Sequence, residues 1–126
     1  MHKSRLAAVV LDCRSDDYER DAAFWSAALG LDLKPLPEGQ DPRYRDLDTP
    51  EGEAKILLQQ VDHPSRAHLD IETDDVEAEV RRLEGLGAKR VAQVRTWWVM
   101  EAPSGHRFCV VKPQRPDFPG NAKAWP

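Results

Sequence analysis

The segment Leu11-Asp12-Cys13-Arg14-Ser15-Asp16-Asp17-Tyr18-Glu19 returns 58 residues later as Leu69-Asp70-Ile71-Glu72-Thr73-Asp74-Asp75-Val76-Glu77. Both copies read LDxxxDDxE, and an offset of nearly half the 126-residue chain is long enough to hold a module of several elements. The surroundings agree as well. A short apolar stretch runs into or through each copy, Leu6–Leu11 in one half and His68–Thr73 in the other, and reads as a strand. A helical pattern follows each. Tyr18, Ala22, Trp25 and Leu29 recur at spacings of three and four, as do Val76, Val80, Leu83 and Leu86, so each set predicts one buried helix face. Asp16 or Asp17, and Asp74 or Asp75, are placed to cap the first free N–H groups. Gly30 and Gly87 stand where the helices should end, since glycine takes positive φ without strain.

Three short extended segments follow each glycine: residues 31–36, 43–48 and 54–61, then 89–94, 96–101 and 107–112. Turn residues separate them at Pro37-Glu38-Gly39, Pro50-Glu51-Gly52 and Pro103-Ser104-Gly105. Each half therefore reads β-α-β-β-β, which makes the chain an α+β protein. A single domain is expected over 1–126, with one module over 5–62, the second over 66–112, and a proline-rich tail, 113–126, expected to drape over the surface without adding a strand.

Composition narrows the function. Apolar residues make up 40% of the chain, but no run reaches the roughly 18 residues of a membrane span. The net charge is −4 and no basic stripe occurs, so neither membrane nor nucleic acid is the expected partner. Cys13 and Cys109 lie far apart without CxxC spacing, as free thiols of a cytoplasmic protein would. The basic start at Met1–Arg5 is not followed by a signal-peptide pattern.

The duplicated module, with Phe24-Trp25 and Leu29-Gly30 in the first helix, His68-Leu69-Asp70-Ile71 on the fifth expected strand and Ala102-Pro103-Ser104-Gly105-His106-Arg107-Phe108-Cys109 leading into the last, resembles the glyoxalase, bleomycin-resistance and extradiol-dioxygenase superfamily, also called vicinal oxygen chelate proteins. The resemblance implies a cup-shaped mixed sheet with helices on its outer face. It also implies a metal held by four side chains, typically two His and two Glu, from the first, fourth, fifth and last strands. Here His68 fills the fifth-strand position, whereas the others fall on Ala8 or Val10, on Leu57 with Gln59 two residues on, and on Cys109. One histidine and one thiol are too few for the usual site. No metal or other cofactor is therefore expected. Were one present, His68 and Cys109 would hold a divalent ion such as zinc, nickel, manganese or iron.

Strand alternation gathers the residues that share the face of His68: Asp70 and Glu72, then Ala8, Val10 and Asp12, then Lys55, Leu57 and Gln59, then Arg107, Cys109 and Val111. The intervening Val9, Leu11, Ile56, Leu58, Leu69, Ile71, Phe108 and Val110 suit the helix side. Of the adjacent Trp97 and Trp98, one must face the helices and the other the cup or an interface. The expected ligand-binding set is Leu57, Gln59, His68, Asp70, Trp98, Arg107 and Cys109, with His68 as general base and Arg107 as oxyanion partner if the protein is an enzyme. An Asp70–Arg107 ion pair that only steadies the sheet is the plainer alternative. Two functions follow from the resemblance: a bleomycin-resistance type of protein binding a small organic ligand, or a lyase, isomerase or metal-dependent dioxygenase-type enzyme using His68 with Arg107 or Cys109. The resemblance further implies a homodimer.

Overall fold

The computed structural model describes all residues from Met1 to Pro126. Its strands are β1 (His2–Cys13), β2 (Tyr44–Asp46), β3 (Lys55–Gln60), β4 (Arg66–Thr73), β5 (Lys89–Val94), β6 (Trp97–Glu101), β7 (Arg107–Val111) and β8 (Lys123–Trp125). Its helices are α1 (Tyr18–Leu29), α2 (Val76–Gly85) and a short α3 (Phe118–Asn121). Two compact units divide the chain, one of Ala8–Ala67 and the other of Met1–Ala7 with His68–Pro126.

In the Ala8–Ala67 unit, the second half of β1 runs parallel to β3 with Leu11 opposite Leu58, and β2 lies antiparallel on β3 with Tyr44 opposite Gln59. The parallel pair is possible because α1 and the following loop carry the chain back across the sheet. Asp17 caps α1 by accepting from the N–H of Arg20 at 3.1 Å, and Gly30 ends it in the left-handed region at φ 66°. Cys13, Ala22, Leu47 and Leu58 form the core, with Leu11, Tyr18, Trp25, Leu31, Leu33 and Ile56 packed around them. The expected strand at 31–36 is reduced to a single bridge between Leu33 and Leu47. Pro35 explains this, since it cannot donate to a ladder. Leu29, expected on the buried face of α1, lies 46% exposed in the last turn.

The other unit repeats the arrangement. β4 runs parallel to β7 with Leu69 opposite Phe108, and β6 and then β5 follow antiparallel. Asp75 caps α2 by accepting from the N–H of Ala78 at 3.0 Å. Val80 of α2 and Met100 and Val110 of the strands are completely buried, flanked by Val76, Leu83, Ala88, Trp98 and Phe108. Each such side chain contributes roughly 1.5–3 kcal/mol by leaving water. Leu86 falls beyond the end of α2 and is exposed, a second departure from the predicted helix face.

The tail does more than drape. It forms α3 and then β8, which pairs antiparallel with the start of β1, His2 opposite Trp125. The constraint that draws it in is polar. Glu72 has no solvent exposure, so its charge must be answered from within the protein. Arg5 donates to Oε2 at 2.8 Å and Arg115 to the same oxygen at 3.1 Å, while the backbone N–H groups of Gln114 and Arg115 donate to Oε1 at 2.7 and 3.2 Å. Arg5 also reaches Asp117 at 2.6 Å, and Arg115 reaches the carbonyl of Leu6 at 2.7 Å. A second buried carboxylate, Glu79, meets His2 at 2.8 Å and a forked pair of bonds from Arg82, each 2.8 Å. The guanidinium of Arg82 lies 3.9 Å over the ring of Trp125, whose indole N–H donates to Ser4 at 2.8 Å. Sequence alone gave no cue to this network, because its members lie up to 121 residues apart.

Burial pushes the Glu79 carboxyl up, but the hydrogen bonds from Arg82, His2 and Ser4 outweigh it and hold the group below its ordinary range. Two predictions follow from these carboxylates. Glu72→Ala strands two arginines in a buried site and is expected to cost about 3–5 kcal/mol in urea denaturation. A loss below 1 kcal/mol would show that water readily replaces the carboxylate. The stabilisation from Glu79 is present above its unfolded value of about 4.3 and disappears as pH falls through the lower folded value. Between about pH 5 and 3, Glu79→Gln should therefore lose stability less steeply than the parent chain, measured as urea midpoints across that range.

Candidate functional site

The parallel pairing of β4 with β7 places Asp70 directly beside Cys109, and alternation along β4 sets His68 on the same face. A ring nitrogen of His68, a carboxylate oxygen of Asp70 and Cys109 Sγ all lie within 4.8 Å of one another. All three residues are half-buried, so the cluster is screened from bulk water without being sealed from a ligand. His68 Nε2 stands 3.3 Å from Asp70 Oδ1. Oδ1 is buried and accepts no hydrogen bond. A buried acceptor left in this state costs about 1–3 kcal/mol. Such a cost is commonly retained where the group has work to do on something bound.

The neighbouring strand completes the face. Val99 is opposite Cys109, so alternation along β6 brings Trp97 and Glu101 to the same side. Trp98 points the other way, packing against the core under α2 with the Arg90 guanidinium 5.0 Å over its ring. Trp98, included in the ligand-binding set from sequence, therefore stands on the helix side. Its parity with Met100, both apolar, was the signal available in the sequence. Arg107 donates to Glu101 at 3.3 Å, its opposite neighbour on β6, and Asp70 has His68 as its charge partner. The Asp70–Arg107 pair considered from sequence gives way to these two contacts.

In the Ala8–Ala67 unit, Gln59 donates its amide to the Tyr44 hydroxyl at 3.2 Å, as their opposition across β2 and β3 allows. Leu57 lies opposite Val10 and is half-buried, while Ala8 and Val10 are buried and carry no donor atom. Asp12 occupies in this repeat the position that Asp70 holds in the other, opposite Gln59 as Asp70 is opposite Cys109.

The donor set suits a borderline divalent ion, since imidazole nitrogen, carboxylate oxygen and thiolate sulfur are the three ligand types that zinc takes. Asp70 was not among the metal candidates drawn from sequence. The resemblance pointed to one position on each strand, and Asp70 lies one alternation beyond His68 on the same strand. Removing its charge separates functional from structural roles. Asp70→Asn should leave urea stability unchanged or raise it by about 1 kcal/mol. A loss above 2 kcal/mol would mark Asp70 as a structural group.

Comparison with known proteins places these observations. The glyoxalase-like domain pattern matches residues 8–111. No curated protein sequence matches the chain. Methylmalonyl-CoA epimerase from Mycobacterium tuberculosis has a similar structure, with a TM-score of 0.62 and 18% identity over 87% of this chain and 88% of that one. A hypothetical protein from Bacillus halodurans gives 0.62 at 14% identity, covering 89% and 96%. An extradiol ring-cleaving dioxygenase from B. fuscum gives 0.56 at 16% identity, where 88% of this chain matches 33% of the larger enzyme. At these identities the likeness is one of fold. The chain belongs to the glyoxalase-like domain family.

Proposed function

We propose that this protein binds a small organic molecule on the β4–β7 face and acts on it through His68, as a lyase or isomerase would. The observation that carries the reading is the Asp70 carboxylate, buried, unsatisfied at Oδ1 and 3.3 Å from the imidazole. An imidazole so placed can take a proton from a substrate carbon or hydroxyl, while the carboxylate fixes the ring and balances the charge that forms. Cys109 and Val99 border the reacting position, and the flat ring of Trp97 on the same face suits an aromatic or planar ligand. Arg107, held at the edge by Glu101, is the group available to meet a carboxylate or enolate oxygen. Simple capture of the ligand, in the manner of bleomycin-resistance proteins, uses the same face without the proton transfer. Free thiols at Cys13 and Cys109 support a reducing cytoplasmic setting, and no helix is long and apolar enough to cross a membrane. We also retain the homodimer that the family resemblance implies.

A second reading is favoured by the 4.8 Å spacing of the three donors. His68, Asp70 and Cys109 would then hold a divalent metal ion, which would supply Lewis-acid polarisation of a substrate oxygen. Elemental analysis of untagged protein, with titration by zinc, nickel, manganese and iron(II), separates the readings. Near-stoichiometric metal that disappears in His68→Ala establishes the metal site. Without metal, the first reading expects a compound found by thermal-shift screening to lose at least tenfold in affinity in His68→Ala, about 1.4 kcal/mol. Ligand binding indifferent to His68, with no metal bound, would sink both.

A further inference from the structure

A separate depression opens in the Ala8–Ala67 unit, with a volume of about 570 Å³. Its apolar lining comes from Leu11, Trp25 and Ala67, and its polar lining from Arg14, Ser15, Arg20, Ser65 and Arg66 with Asp12 and Asp21. The hydrogen-bond accounting is uneven. Ser15 Oγ accepts from the N–H of Asp17 at 2.9 Å and from Arg20 at 3.2 Å, and Ser65 Oγ accepts from the N–H of Arg14 at 2.9 Å. Neither hydroxyl donates to a protein group, so two O–H protons remain to be used.

The charges are equally uneven. Arg20 is met by Asp21 at 3.5 Å and by Asp16 at 3.7 Å, and Asp12 has His63 at 3.9 Å and Arg66 at 3.8 Å beside it. Both lining carboxylates thus have a cationic side chain or a histidine within 4 Å, although Asp12 Oδ1 accepts no hydrogen bond. The guanidinium of Arg14 has no carboxylate partner, although its backbone is tied to Ser65. Three arginines, Arg14, Arg20 and Arg66, thus line the depression against two aspartates, with two hydroxyl donors beside them, in a chain whose net charge is −4. The complement of such a site is an acceptor-only group. Trp25 and Leu11 add an apolar surface on which a ring or chain attached to that group can lie.

We propose that this depression binds a small molecule bearing an oxyanion, a phosphate or carboxylate, on an apolar and preferably aromatic body. Arg14 supplies the charge and Ser15 and Ser65 the directional donors. The proposal does not rest on the His68 cluster, and either can fail without the other.

The test is a titration of the full chain with phenyl phosphate, benzoate and inorganic phosphate, followed by backbone amide NMR. Saturable shifts centred on Arg14, Ser15, Ser65 and Arg66 are expected with phenyl phosphate or benzoate, and the tighter of the two identifies the oxyanion. Inorganic phosphate, lacking the ring, should bind about tenfold more weakly, the effect of removing a few buried CH₂-sized groups. Arg14→Ala should weaken the better aromatic ligand by about tenfold or more, as loss of a charged hydrogen bond does. Because Arg14 is exposed, the variant should fold, and its amide spectrum away from the loop will show this directly. Shifts that never saturate, or an affinity unmoved by Arg14→Ala, would overturn the proposal.

Discussion

Two parallel ladders, Leu11 against Leu58 and Leu69 against Phe108, underlie everything else in this protein. A parallel pair cannot close through a tight turn, so each forces a long excursion through a helix before the chain returns beside its own start. That return is what brings Asp70 next to Cys109, residues separated by most of the second module, and what leaves Asp12 opposite Gln59 in the first. The antiparallel strands on the far sides add area and enclose the helix-facing cores, but they do not create the juxtaposition on which chemistry depends. The two repeats share this frame while their side chains differ: where one places Asp12 and Gln59, the other places Asp70 and Cys109.

Three buried or half-buried carboxylates in one unit show how differently the same group can be treated. Glu72 and Glu79 have every sign of structural use, since Glu72 is met by two arginines and Glu79 by one, each with further groups at hydrogen-bond distance. Asp70 has a histidine nearby but an oxygen that accepts nothing. Desolvation penalises all three. Only Asp70 is left with capacity to bind, and it sits beside the imidazole and thiol that make such capacity useful.

Much of the frame was legible in the sequence because it rests on local periodicity. The repeated LDxxxDDxE motif, the caps at Asp17 and Asp75, the left-handed Gly30 and the alternation that sends Leu58, Phe108 and Val110 toward the helices are short-range properties. The failures are also physical. A strand through Pro35 asked for a ladder donor that proline lacks, and Leu29 and Leu86 continued a period past the point where the helix face meets the core. The tail strand depends on Arg5, Arg115 and Trp125 finding partners more than 40 residues away, which no window of sequence displays. Of the site, His68 and Cys109 came from the family resemblance, and alternation placed Asp70 and Cys109 on the face of His68. The gathering of their donor atoms depends on ladder register and on side-chain conformations, which alternation does not supply.

The pairing of His2 with Trp125 also bears on how the molecule can be rewired. The first and last strands lie side by side, so a short bridging peptide can join the two ends without crossing the fold. New ends can then be opened at a surface turn such as Pro50-Glu51-Gly52, giving a circularly permuted chain with the same strand neighbours. In such a chain Ser4 and Trp125, and Arg5 and Asp117, would come close in sequence, and the pairing of β8 with the start of β1 would turn from a long-range event into a local one.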